Sequence, residues 1–62
     1  NKGQTMEETF IWKIGDLIKM KKTGKLGVVI KLHEKAGTPF YLVYDNLTKK
    51  QTWFPQSSVC EA

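Results

Sequence analysis

The chain has 62 residues, with one cysteine, one histidine, ten lysines and no arginine, and its formal net charge is +4. A chain of this length forms at most one domain, with a marginal hydrophobic core. A single cysteine excludes an internal disulfide, and one histidine with one cysteine cannot supply the roughly four ligands of a structural zinc site.

Short segments separated by turns account for most of the chain. Residues 1–9 lack periodicity and are predicted to be a disordered lead-in to one domain over residues 10–62. Within that domain, alternating polarity and enrichment in β-branched or aromatic residues predict several strands, the first of which can equally be an extended segment across the core. In chain order these segments are 10–14, 17–22, 26–33, 40–44, 51–54 and 59–61.

Turn-forming residues separate the predicted strands. Residues 23–25 contain glycine at the left-handed position of a three-residue hairpin loop. Gly27, inside the strongest strand, indicates a bulge or a close backbone approach. By composition, residues 34–39 are predicted to form a loop and residues 45–50 a hairpin turn.

The end of the chain predicts one turn of helix in an otherwise all-β fold. Pro55 ends a strand because it has no backbone donor, and residues 56–58 then leave room for a single helical turn. No stretch of ten or more residues shows helical periodicity. In so short a chain a closed barrel is favoured over a sandwich, since closure removes exposed edges.

Two stretches resemble Src-homology-3-like small barrels. Residues 15–32, GDLIKMKKTGKLGVVIKL, resemble the Gly-Asp-x-apolar-x-apolar…Gly-x-x-Gly-x-Val pattern of KOW-type barrels. Residues 41–59, YLVYDNLTKKQTWFPQSSV, resemble the later hairpin of Tudor-like and chromo-type barrels. The resemblance implies a five-stranded barrel with a one-turn 3-10 helix before the last strand. Such barrels bind RNA, DNA, peptides, methylated tails or other subunits, so the resemblance implies binding without naming a ligand.

The residue content gives little support to catalysis. His33 and Cys60 could serve as base and nucleophile only if the fold brought them together. Cys60 falls where a small buried core residue is expected. Residues 24–27, GKLG, lack the spacing of a phosphate-binding loop. The sequence therefore predicts a protein that is not an enzyme and that needs no cofactor or metal.

Seven aromatic side chains are more than one small core needs, so some of them are predicted to face solvent. Phe10 and Phe54 are expected to be covered, whereas Tyr44 and Trp53 are expected to be exposed. An exposed ring beside lysine can stack a base, seat a peptide proline or cage a methylated lysine. The predicted aromatic binding residues are Phe40, Tyr41, Tyr44 and Trp53.

The lysines provide a second candidate surface. Positive charge attracts polyanions without regard to sequence, whereas the absence of arginine disfavours base readout. These lysines form either a basic rim or only the solvated side of half-buried strands. They flank the first and last hairpins and comprise Lys19, Lys21, Lys22, Lys25, Lys49 and Lys50.

Two functions are consistent with these surfaces. The favoured one is protein–protein interaction or assembly through exposed aromatic side chains, with a protein partner, a peptide or a second copy as ligand. The alternative is weak, largely sequence-independent binding of an RNA or DNA backbone by the lysine rim. A small accessory protein, for example of a phage, would suit either function.

The sequence also predicts where the protein works. No apolar run approaches the roughly 20 residues of a membrane-spanning helix, and residues 1–9 have no apolar signal-peptide core. A lone cysteine is typical of a reducing compartment. We therefore expect a cytoplasmic, intracellular protein without a membrane partner.

Overall fold

The computed structural model describes residues 10–62, and the predicted lead-in over residues 1–9 lies outside the described residues. The described chain forms one sheet of five antiparallel strands. These strands are β1 (Leu17–Met20), β2 (Leu26–Lys35), β3 (Thr38–Asp45), β4 (Lys50–Pro55) and β5 (Val59–Glu61). One 3-10 turn, Gln56–Ser58, separates β4 from β5. The predictions of an all-β fold and of a helical turn before the last strand are confirmed.

The sheet has the strand order β4-β3-β2-β1-β5 and is open. β1 pairs with β2 through Ile18 and Gly27, and with β5 through Met20 and Val59. β4 and β5 follow one another along the chain but form the two edges of the sheet. The prediction of a closed sheet is therefore wrong, because Pro55 offers no donor and the 3-10 turn carries the chain across the gap between the edges.

The core lies on one side of the sheet, which curls around it. Val59 on edge strand β5 and Tyr41 on β3 belong to the same buried cluster, although two strands separate them in the sheet. A flat sheet would hold these side chains apart, so their contact with a common core reflects the twist and curl of the strands. The cluster consists of Phe10, Ile18, Met20, Val29, Tyr41, Val43 and Val59.

The segment before β1 is not a strand: the chain bends at Ile11 and Trp12 and turns at Ile14 and Gly15, and the segment covers part of the core. Phe10 and Trp12 both meet the Tyr41 ring edge to face, with centroids 5.6 Å and 5.5 Å apart. The backbone N–H of Ile11 donates to the Tyr41 hydroxyl at 2.9 Å. Phe10 is buried, as the sequence predicts, whereas Phe54 is half-buried and packs against the cluster from β4.

The connection between β2 and β3 is much shorter than composition predicts. The predicted loop over residues 34–39 is wrong, because the two strands pair as far as Lys35 and Thr38. Only Ala36 and Gly37 remain as the turn, and both have positive φ, 53° and 81°. Two positive φ values define the tight hairpin turn whose twist matches the flanking strands.

A β-bulge at Ile30 decides which side chains of β2 face the core. Val29 and Lys31 pair with consecutive residues of β3, so Ile30 between them has no partner. The extra residue moves the core side of the strand from the odd position of Val29 to the even position of Leu32. In an uninterrupted strand the next core-facing residue after Val29 would be Lys31.

Gly27 marks the close backbone approach that the sequence predicts, although the bulge itself lies at Ile30. A Cβ added at Gly27 would overlap the Val43 side chain and lie 3.1 Å from the carbonyl oxygen of Tyr44. We expect Gly27→Ala to lower the free energy of unfolding by about 1–3 kcal/mol, because overpacking pushes β2 away from β3. Urea denaturation followed by tryptophan fluorescence measures this loss.

A matched control for that variant lies on β4. Thr52→Ala changes an exposed residue and is expected to alter the free energy of unfolding by no more than about 0.5 kcal/mol. Equal midpoints for Gly27→Ala and the parent protein would contradict the close approach.

Candidate functional site

The side of the sheet that faces away from the core, here called the outer face, carries many aromatic and aliphatic side chains. Residues directly opposite one another on antiparallel strands point to the same side, so the register defines rows across this face. One row contains Leu17, Val28, Tyr44 and Gln51, a second contains Lys31, Leu42 and Trp53, and a third contains His33, Phe40 and Pro55.

Leu42 shows that the outer face has packing of its own. Its side chain is only 8% exposed, yet it is not part of the core cluster. Its partners in the row, Lys31 and Trp53, lie on either side of it and are exposed. A lysine stem and an indole ring can both cover apolar surface while their polar ends stay in water, so Leu42 is buried by its neighbours on the outer face.

An apolar cleft of about 310 Å³ opens at one end of the outer face, between the β1–β2 loop and the β3–β4 turn. Leu17, Leu26 and Leu47 are 50%, 48% and 82% exposed. Large apolar side chains left in solvent around one concavity are typical of a docking surface. The apolar cleft is defined here by Leu17, Leu26, Val28, Tyr44 and Leu47.

Hydrogen bonds of the β3–β4 turn hold Leu47 in position. The Asp45 side-chain oxygen Oδ1 accepts the backbone N–H of Leu47 at 2.9 Å and that of Thr48 at 3.4 Å. The backbone N–H of Lys49 donates to the Asp45 carbonyl at 2.7 Å. An aspartate that binds its own turn is a common way of ordering such a loop. Leu47 is therefore presented to solvent by a structured turn.

A second cleft, of about 300 Å³, lies at the other end of the outer face and is lined by His33, Lys35, Phe40 and Trp53. Trp53 is 45% exposed, and its ring meets the ring of His33 edge to face at a centroid distance of 6.0 Å. We call this the aromatic cleft. Tyr44 is four residue steps from Phe40 on β3, about 13 Å along an antiparallel strand, so the two clefts are distinct.

The aromatic residues predicted to bind a ligand lie in three different parts of the structure: the apolar cleft, the aromatic cleft and the core. Tyr44 lines the apolar cleft and is half-buried, while Phe40 and Trp53 line the aromatic cleft. Trp53 is exposed as expected. Tyr41 is not available as a binding residue, because its side chain is fully buried in the core. Alternation along β3 turns Tyr41 towards the core and its neighbours on either side outwards.

The lysine rim predicted from sequence is partly assembled. The β1–β2 loop and the β3–β4 turn lie side by side, since Lys25 and Asp45 line two common clefts. Lys22 joins them in one of these, a cleft of about 270 Å³. Asp45 offsets part of this charge, and Lys19 is half-buried on β1. The other lysines of the predicted rim are exposed: Lys21, Lys49 and Lys50.

The structure does not bring His33 and Cys60 together. Cys60 is half-buried and lies opposite Lys19, which in turn lies opposite Leu26. His33 is seven residues further along β2, roughly 20 Å away. Within residues 10–62, no group of three or more potential ligands is placed to hold a metal ion. The same range contains no helix with the length and apolarity to cross a membrane.

Sequence reasoning missed the apolar cleft. Leu17 carries one signal, since it is an apolar residue on the side of β1 that otherwise shows lysine. Leu47 carries another, because it stands alone among polar residues in a turn. Neither signal shows that these side chains meet, because that depends on which loops the fold places side by side.

No family model, no curated protein and no solved structure matches this chain.

The packing of the outer face can be tested by comparing two leucines. We expect Leu47→Ser to change the free energy of unfolding by no more than about 0.5 kcal/mol, since this side chain is already in water. Leu42→Ala removes a buried side chain and is expected to cost about 2 kcal/mol or more. Chemical denaturation measures both, and a comparable loss in the two variants would mean that Leu47 is a packing residue.

Proposed function

We propose that this protein is a non-enzymatic binding module that docks a partner protein through the apolar cleft. The observation that carries this proposal is the convergence of Leu17, Leu26 and Leu47 around Tyr44. The three leucines come from β1, β2 and the β3–β4 turn, and each leaves about half or more of its side chain in water. Covering them stabilises a complex by about 25 cal/mol for each Å² of apolar surface removed from water.

The expected ligand is an extended segment of the partner with an apolar anchor side chain flanked by carboxylates. Residues 10–62 carry nine lysines against four carboxylates, a net charge of +5. Lys25 lies in the lining of the apolar cleft. Asp45 also lies there, but its Oδ1 already accepts two backbone N–H groups of the turn. Complementary charge favours an acidic partner and speeds its association.

A Src-homology-3-like scaffold is the finer architecture that we propose for this module. The support is the succession β1 to β4 as consecutive antiparallel neighbours, followed by a 3-10 turn and a return of β5 to β1. The curl of the sheet around one core is a further support. The gap between β4 and β5 leaves this scaffold open on one side.

We also propose a non-catalytic, intracellular role, which the positions of the histidine and the cysteine support. The only histidine and the only cysteine, His33 and Cys60, lie in distant rows of the sheet. A free thiol is best preserved in a reducing compartment, which is why we place the protein inside the cell.

Nucleic-acid binding through the lysine rim is the alternative function. The adjacency of the two loops favours it, because Lys22 and Lys25 line one cleft. Lysine contacts phosphate as a point charge, so such binding would show little preference for sequence. It would weaken steeply with added salt and on Lys21→Glu or Lys49→Glu.

Selection from a library of displayed random peptides tests the proposed protein docking. We expect enrichment of peptides with an apolar anchor next to Asp or Glu. Isothermal titration calorimetry with one synthetic enriched peptide should show at least a roughly tenfold weaker Kd for Leu47→Asp and for Tyr44→Ala, as for central interface residues. The matched control is Trp53→Ala in the aromatic cleft, which should bind this peptide normally.

Two results would contradict docking at the apolar cleft. One is a peptide that binds Leu47→Asp as tightly as the parent protein. The other is a selection that enriches no sequence above background.

A further inference from the structure

We propose that the aromatic cleft, together with the row of basic side chains beside it on β2, forms a binding site for single-stranded nucleic acid. This β2 row consists of Lys31, His33 and Lys35. The site lies at the opposite end of the outer face from the apolar cleft and does not depend on the docking function proposed above. It also differs from the lysine rim, which lies on the two loops.

The carboxylates of the strands lie in core-side rows, whereas the lysines of the β2 row lie on the outer face. Lys31 and Lys35 lie opposite Leu42 and Thr38, which places both lysines on the outer face. Asp16, in the turn before β1, binds the backbone N–H of its own turn. The three carboxylates on strands all belong to the core-side rows, since Glu34, Asp45 and Glu61 lie opposite Pro39, Lys50 and Ile18. No carboxylate among the strand residues described therefore neutralises the β2 row on its own face.

The β2 row has a regular spacing along an extended strand. Lys31, His33 and Lys35 are two residues apart, so about 6.7 Å separates each from the next. A stretched single strand, with one phosphate for each nucleotide, can follow such a row. Binding along it places the bases over β3 and β4, on the side where the aromatic cleft lies.

The rings of the aromatic cleft offer stacking surfaces next to these charges. Trp53 exposes nearly half of its side chain on edge strand β4, and Phe40 lines the same cleft. The edge-to-face contact with His33 restrains the Trp53 ring. Proteins that bind single strands without sequence preference combine a positive groove along the backbone with aromatic side chains on which bases stack. A duplex keeps the faces of its bases covered, so the site suits a single strand.

The chemistry of the lining favours nucleic acid over an acidic peptide at this site. Two aromatic rings, an imidazole and a lysine line the aromatic cleft, whereas leucines line the apolar cleft. Every base has a π-face, so stacking requires no particular sequence. The absence of arginine is consistent with that, because arginine is the usual residue for reading a guanine edge.

Fluorescence anisotropy of a labelled oligodeoxythymidylate of about 12–16 nucleotides, titrated with protein at low salt, tests this site. We expect Trp53→Ala to weaken binding roughly 5- to 150-fold, the usual effect of losing one stacked base. Trp53→Phe should retain much of the affinity, and a duplex of equal length should bind more weakly. Lys31→Gln with Lys35→Gln should lower the slope of log K against log salt by about 1.4, since each phosphate contact on a single strand contributes about 0.7.

Matched controls come from the other surfaces. Lys22→Gln with Lys49→Gln removes the same charge from the lysine rim and should leave the effect of Trp53→Ala unchanged. Leu47→Asp should bind the oligonucleotide with an affinity within about twofold of the parent protein. This variant therefore shows whether the nucleic-acid site works independently of docking at the apolar cleft. Because Trp53 helps to cover Leu42, thermal unfolding of Trp53→Ala and Trp53→Phe distinguishes loss of stacking from loss of fold.

A complete absence of oligonucleotide binding at low salt would overturn the proposal. Three further results would also overturn it. The first is equal binding by Trp53→Ala and the parent protein. The second is equal competition by polyglutamate of the same charge, which would indicate that only charge is recognised or that the ligand is an acidic protein. The third is a larger loss in the rim variant than in the β2-row variant, which would assign nucleic acid to the loops.

Discussion

The buried Tyr41 phenol is the contact on which the rest of the structure depends. Its ring packs against Phe10 and Trp12, while its hydroxyl accepts the Ile11 N–H and donates to the Gln56 side-chain oxygen. A buried hydroxyl without a partner would cost free energy, and no buried side-chain nitrogen or oxygen among residues 10–62 lacks one. One side chain thereby ties the segment before β1 to the 3-10 turn after β4.

This arrangement covers the core without closing the sheet. The Ile11 backbone nitrogen also lies 3.2 Å from the Gln56 side-chain oxygen, so a polar contact joins the segment before β1 to the turn between β4 and β5. Phe10, the residue before Ile11, is buried in the core cluster. Because the core side of the sheet is filled by the chain itself, a ligand has access to the outer face, to the loops and to the strand edges. The outer face is also where the exposed leucines and Trp53 lie.

Alternation of apolar and polar residues was sufficient to predict most strands and the exposure of Trp53. On a half-buried sheet, successive residues of a strand point alternately to the core and to solvent. Alternation could not place Tyr41, because Tyr41, Leu42 and Val43 form an unbroken apolar run and either side could have faced the core. The bulge at Ile30 could not be predicted either, because Val28, Val29 and Ile30 also form an unbroken apolar run. A loop over residues 34–39 was predicted in place of the tight turn at Ala36 and Gly37, because Ala36 adopts a positive φ, which alanine rarely does.

The bulge at Ile30 links the core to both candidate sites. Before it, the outward positions of β2 are Leu26 and Val28, which line the apolar cleft. After it, the outward positions are those of the β2 row, beside the aromatic cleft. One unpaired residue therefore keeps lysine out of the core and divides the outer face into an apolar half and a basic half. Since the two halves differ in charge and in the shape of their side chains, two ligands of different chemistry are expected at opposite ends of one strand.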